Sequence, residues 1–266
     1  MNLKNYQYLS ESIEKLGFGD KLNDALKTKM ALGFSEFEVK AKAKFGQDEM
    51  TYALKFGQGK SEVEGEKFYF LNSIKVTFAK QNEQSIEQSF QLYKGRGFDT
   101  KEMYNLMEKR PVYKMFRKDG ENVGRWVKLD FSSKDENNNA AIRSYYDNTT
   151  RLDLSREIGK LNLTFANQQE KEMLLADLRR GDQVSVTIRR DGRNEKAFVG
   201  VAPQIGGLIL FNSEMKEIKR TSSNNIELVS DAISTKNIQK EKLPETTKQL
   251  LENTSETQEG RKRKVS

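Results

Sequence analysis

The sequence is short of nucleophiles, bases and metal ligands. Among 266 residues there is no His and no Cys. Without imidazole the chain lacks the commonest general base and metal ligand. Without thiol it lacks a nucleophile, a disulfide framework and any cysteine-ligated zinc. Carboxylates, lysines and tyrosines remain. Glu62, Glu64 and Glu66 alternate along a glycine-bearing stretch. Carboxylates of this kind do acid–base work only in a pocket that drives their pKa values apart, and a solvated loop is expected instead. Gly57-Gln58-Gly59-Lys60-Ser61 ends like a phosphate-binding loop, but Leu54 stands where the full pattern needs its first glycine. The residues after Ser61 also make a poor helix, so a flexible hairpin loop is expected. Asp135, Asn137 and Asn139 open like a calcium loop, yet Ala140 replaces the required glycine and Tyr146 the closing glutamate. That predicts a polar turn. The residues call for no cofactor and no metal, and for no enzyme.

Binding chemistry is better represented. Arg179, Arg180, Arg189, Arg190 and Arg193 gather around a predicted hairpin turn at Asp191-Gly192, and Arg261-Lys262-Arg263-Lys264 lies at the C-terminal end. Lys40, Lys42 and Lys44, with Lys55, are expected on the wet face of a first sheet. Such clusters hold phosphates, and a sheet face with aromatic neighbours stacks bases. The plain alternative is a charged, solvated sheet face, because Glu36, Glu38, Asp182, Asp191 and Glu195 are interleaved. A formal charge of +7 and a pI near 9.2 permit an anionic partner without requiring one.

These residues must be positioned by a core that composition makes modest: 35% of residues are hydrophobic and 32% charged. Tyr6, Leu9, Ile13 and Leu16 recur at helical spacing, and Asp20 is expected to cap a second helix bearing Leu22, Ala25, Leu26 and Met30. Phe37, Val39, Ala41, Ala43 and Phe45 alternate with charged residues, which predicts a strand with one wet face. A second strand carries Tyr52, Leu54 and Phe56, and apolar runs flank Asn72-Ser73. Asp99 with Glu102 predicts a capping box, Val112–Arg117 and Arg125–Phe131 a hairpin containing the one tryptophan, Trp126. Ala141–Tyr146 follows as a strand, Asp153 opens a short helix, and Asn167 with Glu170 caps the helix of Leu174 and Leu178. Val184, Val186 and Ile188 then alternate, followed by strands at Ala197–Ala202, at Leu208–Phe211 and around Met215 and Ile218.

That last order repeats the first: helix, glycine, alternating strand, turn, strand, loop, then an apolar run ending in Asn-Ser. FYFLNS at Phe68–Ser73 lines up with LILFNS at Leu208–Ser213, which predicts a diverged internal duplication. The expected fold is α+β, with two related helix-plus-antiparallel-meander modules. Residues 1–150 form the first, with an extra β-hairpin, and 151–220 the smaller second. Residues 221–266 carry no aromatic residue and few apolar ones, so a disordered, basic-ended tail is expected. Neither a secretory leader nor a run of about 20 apolar residues is visible, and the expected location is the cytoplasm, away from membranes.

Three segments carry a resemblance: RPVYKMFRKDGENVGRWVKLDFSSKDENNN at Arg110–Asn139, AFVGVAPQ at Ala197–Gln204 and the opening NLKNYQYLSESIEKLGFGDKL. The chain resembles an uncharacterised family encoded on Bacteroidota conjugative transposons and related mobile elements, whose members carry domains of unknown function and often a basic C-terminus. It departs from that family at Gly200, Val201 and Ala202, where members tend to have a polar or acidic residue and an asparagine before Pro-Gln. The resemblance implies a mobile-element context and no catalytic residue. The resulting expectation is a non-enzymatic accessory protein that binds DNA, RNA or a DNA-processing partner. A purely structural protein-interaction module is the first alternative, and an enzyme using carboxylate, Lys or Tyr the second.

Overall fold

The computed structural model describes residues 1–63, 66–80, 83–118, 120–161, 165, 167–190, 193–218 and 226–228, with backbone alone at 60–63, 66, 118, 189–190 and 226–228. The chain is a mixed α+β protein with three antiparallel sheets. Helix α1 (Leu3–Lys15) is capped by Asn2, whose side chain accepts from the Asn5 amide, and it buries Leu9 and Ile13 completely. Helix α2 (Asn23–Leu32) buries Leu26 and Met30 and stops at Gly33, which takes a φ of 72°. The expected Asp20 cap is corrected: the N-cap is Leu22, without a side-chain bond. Asp20 instead accepts from the Asn23 amide through its main-chain carbonyl.

The first sheet is β1 (Glu36–Phe45), β2 (Asp48–Val63), β3 (Glu66–Ala79) and β4 (Ile86–Gln91), in that order. Alternation in β1 buries Phe37 and Val39 and leaves Glu36, Glu38 and Lys40 exposed. Cross-strand partners extend that face as Val39↔Leu54↔Ile74↔Phe90. Asn5 pins α1 to this sheet by behaving like a neighbouring strand: its Oδ1 accepts from the Tyr69 amide at 2.8 Å and its Nδ2 donates to the Tyr69 carbonyl at 3.0 Å. One expectation fails here: Gly57–Ser61 lies inside β2 rather than in a loop. Asn72-Ser73, between the two apolar runs, lies inside β3. Lys55 pairs with Ser73 and Phe56 with Leu71, so Asn72 is the extra residue of a bulge.

Helix α3 (Thr100–Met107) begins with the expected capping box at Asp99 and Glu102. The second sheet, β5 (Val112–Lys118), β6 (Glu121–Lys134) and β7 (Ala140–Tyr146), is ordered β5-β6-β7. It walls both hydrophobic cores. Val127 and Leu129 of β6 enter the first core, and Trp126, of opposite phase in the alternation, enters the second. Helices α4 (Leu154–Gly159, capped by Asp153) and α5 (Gln168–Arg180, capped by Asn167) supply Leu154, Ile158, Leu174 and Leu178 to that second core. Opposite them lie β8 (Val184–Arg190), β9 (Arg193–Ala202), β10 (Gly207–Asn212) and β11 (Ile226–Leu228), ordered β10-β9-β8-β11. The strand expected around Met215 and Ile218 is a turn with an isolated bridge between Phe211 and Glu217, after which Ile218 is buried. Within the segment read as a tail, Ile226–Leu228 pairs with Arg190–Ile188; the remainder lies outside the described residues.

The cores meet at a buried polar joint. Asn105 of α3, 0% exposed, donates through Nδ2 to the Arg180 carbonyl and to Asp182 Oδ1, both at 2.8 Å, and accepts from Arg110 Nη1 at 2.8 Å. Beside it Gly181 ends α5 at a φ of 90°, and any Cβ there would stand 2.8 Å from the Pro111 carbonyl. FYFLNS and LILFNS do not occupy matching places. Phe70 is exposed where the aligned Leu210 is buried, and Asn72 is a bulge where Asn212 accepts from the amides of a turn.

Two outcomes follow. Ile188 is 0% exposed in the core formed with Leu174 and Leu178, so Ile188→Ala should lower unfolding free energy by about 2–5 kcal/mol, read from the denaturant midpoint. Burial pushes the Asp177 carboxyl above its ordinary value even though the Arg180 guanidinium is 2.5 Å away. A raised folded pKa means that ionisation costs stability as pH climbs through and above 3.8, the ordinary value. Asp177→Asn should therefore reduce the loss of melting temperature between about pH 4 and pH 7. A larger loss in the variant would show that the Arg180 pairing outweighs burial.

Candidate nucleic-acid interface

The arginines expected as one group fall into two. Arg179 is exposed in the last turn of α5, with its guanidinium 5.8 Å from the Tyr113 ring. The Tyr113 hydroxyl donates to Asp147 at 2.6 Å, and burial first, then this bond, push its pKa up to about 12. Arg180 is committed inward, 2.5 Å from Asp177 and 3.2 Å from Asp182. Burial alone would lower its pKa, but Asp182 and Asp177 more than reverse that. Arg189 and Arg190 stand at the opposite end of β8, paired through the backbone with Asn194 and Arg193. The run from Val184 to Arg190 covers about 20 Å at strand rise. Arg193, the first residue of β9, is exposed. The Asp191-Gly192 turn and Arg261–Lys264 lie outside the described residues.

The outward face of the same strands, toward the end away from Arg190 and Arg193, is aromatic. Val184, Val186, Ile188, Ala197, Val199 and Leu210 point into the second core, so the residues between them point the other way. Phe198 and Phe211 are direct cross-strand partners on that outward face, both part-exposed and neither packed against the core. The Lys196 ammonium sits 5.2 Å over the Phe198 ring, a cation–π arrangement. Thr187 faces Lys196, and Ser185 faces Phe198. Gly200, beside Phe198 in the same alternation, leaves room for the Phe211 ring, which an added Cβ would meet at 3.4 Å. Two part-exposed rings on neighbouring strands, with a cation at one end and hydroxyls along the flank, are the side-chain types on which bases stack.

Sequence reasoning misses these rings, because AFVGVA is apolar on both faces and shows no alternation. The signal that could have found them is the clean alternation of β8, which fixes the phase of its partner β9.

The first sheet presents a different surface. On its outer side Lys42 pairs with Glu49 at 2.8 Å, Lys55 with Glu38 at 3.7 Å and Lys75 with Glu87 at 2.9 Å, around a shallow trough of about 300 Å³. Hydrogen bonding to Lys42 holds the Glu49 carboxyl below its ordinary value. This face is largely charge-compensated. Nor do the other sequence candidates converge on chemistry. Asp135 Oδ1 accepts from the Asn137 and Asn139 amides at 2.9 and 2.8 Å, and Asn139 Oδ1 accepts from the Ser89 amide at 2.8 Å, so this turn stitches β7 to β4. A second, half-open hollow of about 220 Å³ is lined by Phe78, Met107 and Phe131 together with Lys80 and Glu108, which pair at 2.6 Å. Among the described residues no three His, Cys, Asp or Glu side chains group as metal ligands, and no helix is long and apolar enough to cross a membrane.

No protein-family model, no curated protein and no solved structure matches this chain.

Proposed function

We propose that this protein binds single-stranded nucleic acid on the outward face of β8–β10 and carries out no catalysis of its own. The observation that carries the reading is the Phe198–Phe211 cross-strand pair, part-exposed on a sheet face with Lys196 beside Phe198, in strands whose hairpin end carries Arg189, Arg190 and Arg193. Aromatic stacking tolerates any base and contributes about 1–3 kcal/mol each. Cations alongside add a salt-dependent, sequence-independent share. In this reading the protein is a cytoplasmic accessory factor of a mobile genetic element. It holds exposed single strands for a DNA-processing partner, and Arg261–Lys264 adds a further electrostatic contact. We also propose that residues 1–150 and 151–220 contain two descendants of one meander unit. Support comes from element order, a helix before three sequential antiparallel strands with β2 and β9 as the middle ones.

The test is binding of labelled 20-nucleotide single strands and matched duplexes, followed across a salt series. Affinity for the single strand should fall by about 0.7 log units per log unit of salt for each phosphate neutralised. Changing Phe198 and Phe211 together to Ala should weaken binding by about tenfold or more while leaving the salt slope unchanged. Changing Arg189, Arg190 and Arg193 together to Ala should flatten the slope, and deleting Arg261–Lys264 should flatten it independently. No binding by folded protein at low salt and micromolar concentration would overturn the reading in favour of a protein-interaction module.

A further inference from the structure

A rigid, strained turn stands apart from the β8–β10 face. Tyr93 and Arg96 exchange backbone hydrogen bonds in both directions at 3.0 Å, closing a two-residue turn over Lys94 and Gly95. Both central residues have positive φ, 51° for Lys94 and 69° for Gly95, the pattern of a type I′ hairpin. Gly95 belongs in that conformation. Lys94 does not, because its Cβ crowds the carbonyl oxygen. No local packing accounts for the lysine, which is exposed.

The turn is nevertheless clamped. The Tyr8 hydroxyl of α1 donates to the Lys94 carbonyl at 2.9 Å. Gly95 lies so close to α1 that an added Cβ would stand 3.0 Å from the Tyr8 hydroxyl and 3.1 Å from Ser12 Oγ, and Ser12 is itself tied by donation to the Tyr8 carbonyl at 2.8 Å. On this fixed support Tyr93 is 71% exposed, among the most exposed large apolar side chains described, with the Lys94 ammonium 5.5 Å from its ring and Arg96 also exposed. Lys94 and Arg96 form no ion pair among the described residues. Their charge, unlike that of Lys42, Lys55 and Lys75 on the first sheet, is available to an incoming anion. A strained, exposed residue held by its surroundings is a place to look for function.

We infer that the Tyr93–Arg96 turn is a second contact for single-stranded nucleic acid, in which a base stacks on Tyr93 and the adjoining phosphates meet Lys94 and Arg96. The inference rests on the proposed binding of single strands and adds a separate place on the chain where one is held. It gives the lysine its reason. Lys94 sacrifices backbone comfort to put an ammonium beside a stacking ring, and the clamp from α1 removes the ordering entropy a mobile loop would lose on binding.

The experiment uses the full chain and a 40-nucleotide single strand bearing photoreactive thiopyrimidines. Ultraviolet cross-linking followed by peptide mapping should place an adduct on Tyr93. Tyr93→Ala should weaken binding by about tenfold, the share of one stacked base, while Tyr93→Phe holds wild-type affinity. Lys94→Gly supplies the readout a merely structural role would not give. It relieves the strain, so the melting temperature should rise by about 1–3 °C. The same change should weaken binding and lower the salt slope by about 0.7 for each phosphate no longer neutralised. If Tyr93→Ala and Lys94→Gly bind as the wild type does, through Phe198 and Phe211, the turn is not a contact and the sheet-face reading stands. If the wild type binds no single strand at all, both fall together.

Discussion

Strand β6 has to satisfy two cores at once. Its alternation sends Val127 and Leu129 one way and Trp126 the other, and each is buried. A fully buried aliphatic or aromatic side chain contributes about 1.5–3 kcal/mol by leaving water, so slipping this strand by one residue would lose several such contributions from both cores together. The neighbouring joint at Asn105 adds direction to that apolar constraint. Removing this amide would take a partner from the Arg180 carbonyl and from an Arg110 donor, at about 1–3 kcal/mol for a neutral group left unpaired, while Asp182 would keep Lys101. The wall sets where α5 ends, Gly181 sets the turn that leaves it, and β8 starts a few residues later. The outward face of β8–β10 depends on that sequence of placements.

The exposed face follows from what the helices cover. Helices α4 and α5 and the tryptophan all lie on one side of the last sheet, so its other side carries whatever the alternation leaves there. On β8 that is Ser185 and Thr187, an ordinary wet face. On β9 and β10 it is Phe198 and Phe211. Two rings left part-exposed are a cost that solubility would select against, whereas lysine–glutamate pairs across the first sheet solve the same problem in the usual way. Exposed ion pairs are worth about 0–1 kcal/mol, so the first sheet gains little from its charges beyond solubility. A stacked base is worth more than any one of those pairs, which is why the weaker-charged but aromatic face is the stronger binding candidate.

Much of this fold is legible in residues whose signal is local. Asp99 with Glu102, Asn167 with Glu170 and the alternation of Glu36–Phe45 depend on neighbours a few positions away, and the structure holds each of them as expected. The failures involve contacts distant in sequence. Gly57–Ser61 has loop composition, but pairing of Gly57 and Gln58 with Phe70 and Tyr69 holds it in a strand. Arg180 and Arg179 are adjacent in sequence and differ in role only because Asp177 and Asp182 face one of them. The aromatic face is invisible in the sequence for a different reason. A strand apolar on both sides gives no phase by itself, and only its register with β8 shows which phenylalanine faces out.

Binding on this face requires that bases lie against Phe198 and Phe211. Fluorine NMR of protein carrying fluorophenylalanine, with resonances assigned by single Phe→Leu changes, reads those rings directly. Titration with a short unlabelled single strand should move the Phe198 and Phe211 resonances by ring-current shifts while leaving Phe37 and Phe56, stacked on each other inside the first core, where they are. If the strand binds and these two resonances stay still, the bases lie elsewhere and the outward face of β8–β10 is not the interface.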